Sequence, residues 1–118
     1  MSDYINEADI ESLVAAKDVE RLIEVLERGG TRALQMEAAT ALGKLGDARA
    51  TPALIKMGNH KWHWIGVRVN SIMALGKIGG AEVQQALSLL TEYEDFHGSQ
   101  EEVAAIQQAA RTALNLMG

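Results

Sequence analysis

The sequence predicts an all-α protein: a short right-handed α-solenoid (an α-α superhelix) of about three helix pairs plus a C-terminal capping helix. Three observations predict it. One block recurs thirty-three positions further on, apolar residues inside each copy fall at helical spacing, and glycines stand where the helices would end. No stretch shows the alternation of a strand.

The repeat emerges on setting "ALGKLGDARATPAL" (41–54) under "ALGKIGGAEVQQAL" (74–87). Ala41/Ala74, Leu42/Leu75, Gly43/Gly76, Lys44/Lys77, Gly46/Gly79 and Leu54/Leu87 are identical, and Leu45/Ile78 is conservative. Upstream of the "LG" run the stripes Leu34, Ala38, Ala41, Leu42, Leu45 and Val67, Ser71, Ala74, Leu75, Ile78. A third copy reads Ile106, Ala110, Ala113, Leu114, Met117. Each follows i, i+4, i+7, i+8, i+11, one face of an α-helix. Small residues at the second and third places would let a neighbouring helix come close. Downstream, Ala50, Ala53, Leu54, Met57 and Val83, Ala86, Leu87, Leu90 share an i, i+3, i+4, i+7 spacing, as do Val19, Leu22, Ile23, Leu26 near the start. The unit is therefore a helix, a glycine-containing turn and a second helix. Neither helix can cover its stripe alone, so units must stack.

In chain order, helices are expected near 8–16, 18–28, 31–45, 48–58, 63–78, 81–94 and 99–117. Gly29-Gly30 ends the second and Thr31 can cap the third. Asp47 can cap the fourth, and Pro52, the single proline, lies early in it, where a missing N–H does least harm. Gly98 stops the sixth, and Ser99 with Glu102 reads as a capping box for the last. The expected organisation is one domain over 1–118, with units near 7–30, 31–60 and 61–98 and a terminal helix at 99–117. That last helix has a polar line of Glu101, Gln108, Thr112 and Asn115, as a solubilising cap requires. Ala105, Ala109 and Leu116 offer the alternative of a homodimer, and the sequence leaves monomer and homodimer open. The methionines at 36, 57, 73 and 117 fall on or beside the stripes and read as core filler.

Composition narrows the function. Hydrophobic residues make up 47% of the 118, which excludes a disordered chain. No apolar run has the length of a membrane span. The opening "MSDYINEADIE" is acidic and lacks the apolar core of a secretory signal. Cysteine is absent, which rules out disulfides and thiolate zinc sites and fits a cytoplasmic location. A net charge of −5 speaks against nucleic acid, because phosphate binding needs clustered Lys and Arg. There is no Ser-His-Asp elbow, no phosphate-cradling glycine loop and no carboxylate pair, so no catalytic residue, metal ligand set or cofactor is assigned.

"LQMEAATALGKLGDARATPALIKM" and "VRVNSIMALGKIGGAEVQQALSLL" resemble HEAT-like repeats of the phycobilisome-lyase (PBS lyase) type. Such repeats have a V-R-x-x-A-A-x-A-L-G-x-[LI]-G-D pattern followed by an R-A-x-P-x-L-I helix. The resemblance covers roughly 31–117 well and 7–28 weakly. The second unit has Leu34-Gln35 for the Val-Arg pair, and the third has Gly80 for the turn aspartate. It implies an armadillo-like curved solenoid whose second helices line the concave side and bind a protein or peptide. The alternative it implies is an accessory subunit or small relative of a bilin lyase or phycobilisome-degradation factor. The repeat alone does not carry the activity across. HEAT-like deoxyhypusine hydroxylases place His-Glu dipeptides where this chain has Met36-Glu37, Val69-Asn70 and Gln108-Ala109, so that iron site has no ligands here. A HEAT-like DNA glycosylase would need a basic groove, which the acidic second helices oppose.

The expected partner surface has two parts. One is the second-helix face, where Glu20, Glu24, Glu27, Arg49, Lys56, Gln85 and Glu92 leave the stripes; mostly acidic, it suits a basic or polar protein or peptide. The other is the aromatic stretch "NHKWHWIG", with Trp62, His63 and Trp64. Packing is its first reading: Trp64, three residues ahead of Val67, would seal the joint between units. A contact patch for a partner comes second. A metal on His60 and His63 comes last, since two histidines without a third ligand do not make the usual coordination set.

Overall fold

The computed structural model describes residues 6–117, so the expected 1–118 span reaches beyond the described residues at both ends. Among the described residues seven α-helices follow one another: α1 (Glu7–Ala15), α2 (Val19–Arg28), α3 (Arg32–Leu45), α4 (Thr51–Gly58), α5 (Ile65–Ile78), α6 (Ala81–Leu90) and α7 (Gln100–Leu116). A 3₁₀ turn at Ala48–Ala50 leads into α4. Among the described residues there is no strand.

Local chemistry sets the ends. Thr31 Oγ1 accepts from Leu34 N at 3.1 Å, and Ser99 Oγ accepts from Glu102 N at 3.3 Å. Asp47 Oδ1 accepts from Arg49 N at 2.9 Å, opening the 3₁₀ turn rather than α4 itself. Gly46 closes α3 at φ 66°, a left-handed conformation that a side chain would strain. The reciprocal capping box belongs to α1: Asn6 N donates to Asp9 Oδ2 while Asp9 N donates to Asn6 Oδ1. Helix α6 stops at Leu90, earlier than the expected 94. The reason is in the segment that follows. Asp95 Oδ1 takes the N–H groups of both His97 and Gly98, Gln107 Nε2 donates to Tyr93 O, and the half-buried Tyr93 packs on the core.

The stripes face inward. Ala38, Ala41, Leu42, Val67, Ser71, Ala74, Leu75, Ile106, Ala110 and Ala113 are buried, with Leu34, Leu45, Ile78, Leu114 and Met117 half-buried at the stripe ends. Two layers result. Helices α1, α3, α5 and α7 form one, and α2, α4 and α6 the other, with α2 lying mainly on α3, α4 on α5 and α6 on α7. Spacing differs sharply between the layers. A Cβ on Gly43 would stand 2.9 Å from Ala74 Cα, and one on Gly76 would stand 2.8 Å from Ala113 Cα. Backbones α3/α5 and α5/α7 are thus nearly in contact, whereas α2, α4 and α6 touch one another only sparsely.

A groove of about 550 Å³ opens between α1 and α3. The second helices, α2, α4 and α6, expected to line the concave face, form the more sparsely packed of the two layers. At the C-terminal end, Ala109 is buried and Ala105 half-buried, so of the three residues offered for self-pairing only Leu116 is exposed.

Candidate functional site

Three connections come together along one rim: 29–31, 59–64 and 91–99. Arg32, the first residue of α3, lies 5.1 Å above the Trp64 ring. Lys61 Nζ reaches Asp95 Oδ1 at 3.6 Å, joining the second connection to the third. The middle connection is also tied from beneath. Arg68 is buried on the first turn of α5, donates from Nε to Gly58 O at 3.1 Å, and lies 5.1 Å over the Tyr93 ring. The Arg of the Val67-Arg68 pair therefore holds the end of α4 and the 91–99 segment to one helix.

Within "NHKWHWIG" the histidine turns in and the tryptophans turn out. His63 Nε2 lies 2.9 Å from Oε1 of buried Gln35, so with that oxygen accepting, Nε2 carries the proton. The His60 ring sits beside it, centroids 5.2 Å apart. Trp62 is 85% exposed and Trp64 54% exposed. Across the joint where Trp64 was expected to sit, His63 reaches Gln35 from inside and Arg32 of the preceding unit lies over the half-exposed Trp64 ring. Phe96, 84% exposed, adds a third aromatic beside the Lys61–Asp95 bridge. The sequence places Phe96 in a rim segment, "TEYEDFHGS", that could meet "NHKWHWIG", but an aromatic in an irregular connection has no periodicity to orient it.

The histidine pair has little to offer a metal. His63 spends Nε2 on Gln35, and among the described residues no group of three His, Asp or Glu is placed to hold an ion. Burial first, and then the charge of His60, push the His63 pKa below its ordinary 6.5. The neutral ring is therefore the form that stabilises the fold. That stabilisation is complete above the unfolded-state value and is lost as pH falls through the lower folded-state value. Wild type is expected to lose stability in urea titrations as pH is lowered from neutrality through that window, and His63→Gln to lose less. Parallel pH profiles for the two would contradict the inward placement of His63.

Apart from Glu92, the charged candidates lie on the second helices and the 3₁₀ turn that leads into α4. Glu20 and Glu24 are exposed on α2, and Glu24 Oε2 stands 3.9 Å from Arg21 Nε. Glu27 meets Lys56 Nζ at 3.5 Å. Arg49 is bound to Asp47 at 2.8 Å, and its hydrogen bonds hold the Asp47 carboxyl below the usual range. Exposed pairs of this kind are solvated and contribute little. Gln85 is exposed on α6, and Glu92 alone of the set stands on the rim, in the 91–99 connection.

With the helix order and packing established, the family model of HEAT repeats matches residues 19–115. The chain belongs to the HEAT-repeat family. The match begins at α2, the first helix that carries a full apolar stripe, and runs almost to the end of α7. No curated protein matches this HEAT-repeat chain. Among its described residues no helix is long and apolar enough to cross a membrane.

Proposed function

We propose that the whole chain, 1–118, acts as one HEAT-repeat domain that binds a protein partner without catalysis, using the aromatic rim as its docking surface. The observation that carries this reading is the exposure of Trp62, Trp64 and Phe96 on neighbouring connections of one rim. Large aromatics supply most of the binding energy where they are desolvated by a partner. Here they are held on short connections pinned by Arg68, His63 and the Lys61–Asp95 bridge, so little ordering remains to be done on binding. Stacked repeats have this use in general, since their loops gather on one edge. The finer assignment to repeats of the phycobilisome-lyase type rests on the Val67-Arg68 pair and the two "ALGK" blocks. We place the protein as a monomer with α7 as the cap, given that Leu116 is the one exposed apolar residue of its proposed pairing set.

The test is affinity capture from the native cells with wild type and Trp62→Ala/Trp64→Ala, followed by calorimetric titration of the recovered protein. Truncating a hot-spot aromatic is expected to weaken binding by at least about 2 kcal/mol, roughly thirtyfold. A partner that binds wild type and double variant equally well would overturn the rim as the docking surface.

A further inference from the structure

The groove on the close-packed layer has a chemistry unlike the rim. Its apolar floor comes from Ile10 and Val14 of α1 and from Ala33, Met36 and Ala41 of α3. Met36 is fixed by Gly66 of α5, where a Cβ would stand 2.9 Å from Sδ. Carboxylates crowd one end. Glu11 and Glu37 line the groove, and Glu7 is near enough for its charge to act on Glu37. Burial, then repulsion from Glu7 and Glu11, raises the Glu37 pKa. Among the described residues none of these three carboxylates has a Lys or Arg within salt-bridge distance. The single cation in the lining, Lys44, lies two turns further along α3.

We propose that this groove binds a cationic, apolar segment of a protein partner, its Lys or Arg seated among Glu7, Glu11 and Glu37 and its apolar side chains on the Met36 floor. A volume of about 550 Å³ falls within the range of about 300–1,000 Å³ typical of ligand clefts. The charge pattern selects the occupant. An incoming cation relieves the mutual repulsion of three carboxylates, whereas an anion or a neutral apolar segment leaves it in place. Its lining contains none of the rim aromatics Trp62, Trp64 and Phe96.

The probe is a fluorescein-labelled amphipathic peptide of Leu and Lys, compared with its Leu/Glu counterpart of identical apolar spacing. Anisotropy titration should show saturable binding of the Lys peptide only, with a shift of the Met36 methyl resonance on addition. Glu11→Gln/Glu37→Gln should weaken it about tenfold, as losing hydrogen bonds to a charged group does. Glu82→Gln/Glu101→Gln changes the net charge equally at exposed positions outside the groove and should change affinity less than about twofold. Trp62→Ala should leave the titration unchanged, which separates this site from the rim. Equal weakening by both double variants would reduce the effect to bulk charge and overturn the proposal. Equal binding of the two peptides, or no saturable binding, would do the same. So would a dimer in sedimentation that Glu11→Gln/Glu37→Gln dissolves, since the occupant would then be a second copy of the chain.

Discussion

Leu75→Ala is expected to destabilise the protein by about 2–5 kcal/mol, the range for deleting a large side chain from a packed core. Leu75 is fully buried, and its helix, α5, packs against α3, α4, α6 and α7. The cavity would therefore open where four helices meet the fifth, with no loop free to collapse into it. Urea unfolding followed by circular dichroism measures the loss. Glu24→Ala, at an exposed carboxylate, is the comparison and should fall within about 0.5 kcal/mol of wild type. Similar small shifts for both variants would contradict the stripe that places Leu75 inside.

Gly76→Ala is expected to destabilise by about 1–3 kcal/mol, although helix propensity alone argues for a gain of about 1 kcal/mol. The sign is decided by what the added methyl meets. It would stand 2.7 Å from the Ala113 carbonyl oxygen and 2.8 Å from Ala113 Cα, atoms of a helix backbone that cannot rotate away. Helices α5 and α7 would have to separate, loosening the layer on which the rest is stacked. Gly30→Ala has nothing within 4 Å of its new methyl and should be nearly silent. A Gly76→Ala variant more stable than wild type would show that α5 and α7 do not approach this closely.

Local signals made most of the fold readable. Thr31, Asp47, Gly46 and Ser99 act on backbone within four residues of themselves, and the stripes of α3, α5 and α7 declare their buried face by spacing alone. The end of α6 was harder, because Leu90 is followed by residues with helical propensity whose backbone is captured by Asp95 and Gln107. The points of closest approach were not readable, for Gly43 against Ala74 and Gly76 against Ala113 are meaningful pairs only once the partners are known.

The candidate site was legible in part. "NHKWHWIG" announced itself by composition, but which of its rings turned inward depended on Gln35, twenty-eight positions away. That Phe96 stands exposed next to Asp95, the residue Lys61 reaches, depends on two irregular connections, for which spacing gives no orientation. The groove acids were harder still, for Glu7, Glu11 and Glu37 become a group only when α1 lies beside α3.

Native-state amide hydrogen exchange on the intact chain tests most directly whether stacking between units holds the protein together. Helix α5 packs on both neighbours in its own layer and on helices of the other, whereas α1 packs chiefly on α2 and α3 at one end. Amides from Ser71 to Leu75 should therefore exchange slowest, near the rate set by global unfolding, and those of α1 first. Exchange in α5 as rapid as in α1 would mean that the central helix gains nothing from its neighbours, contrary to the packing described.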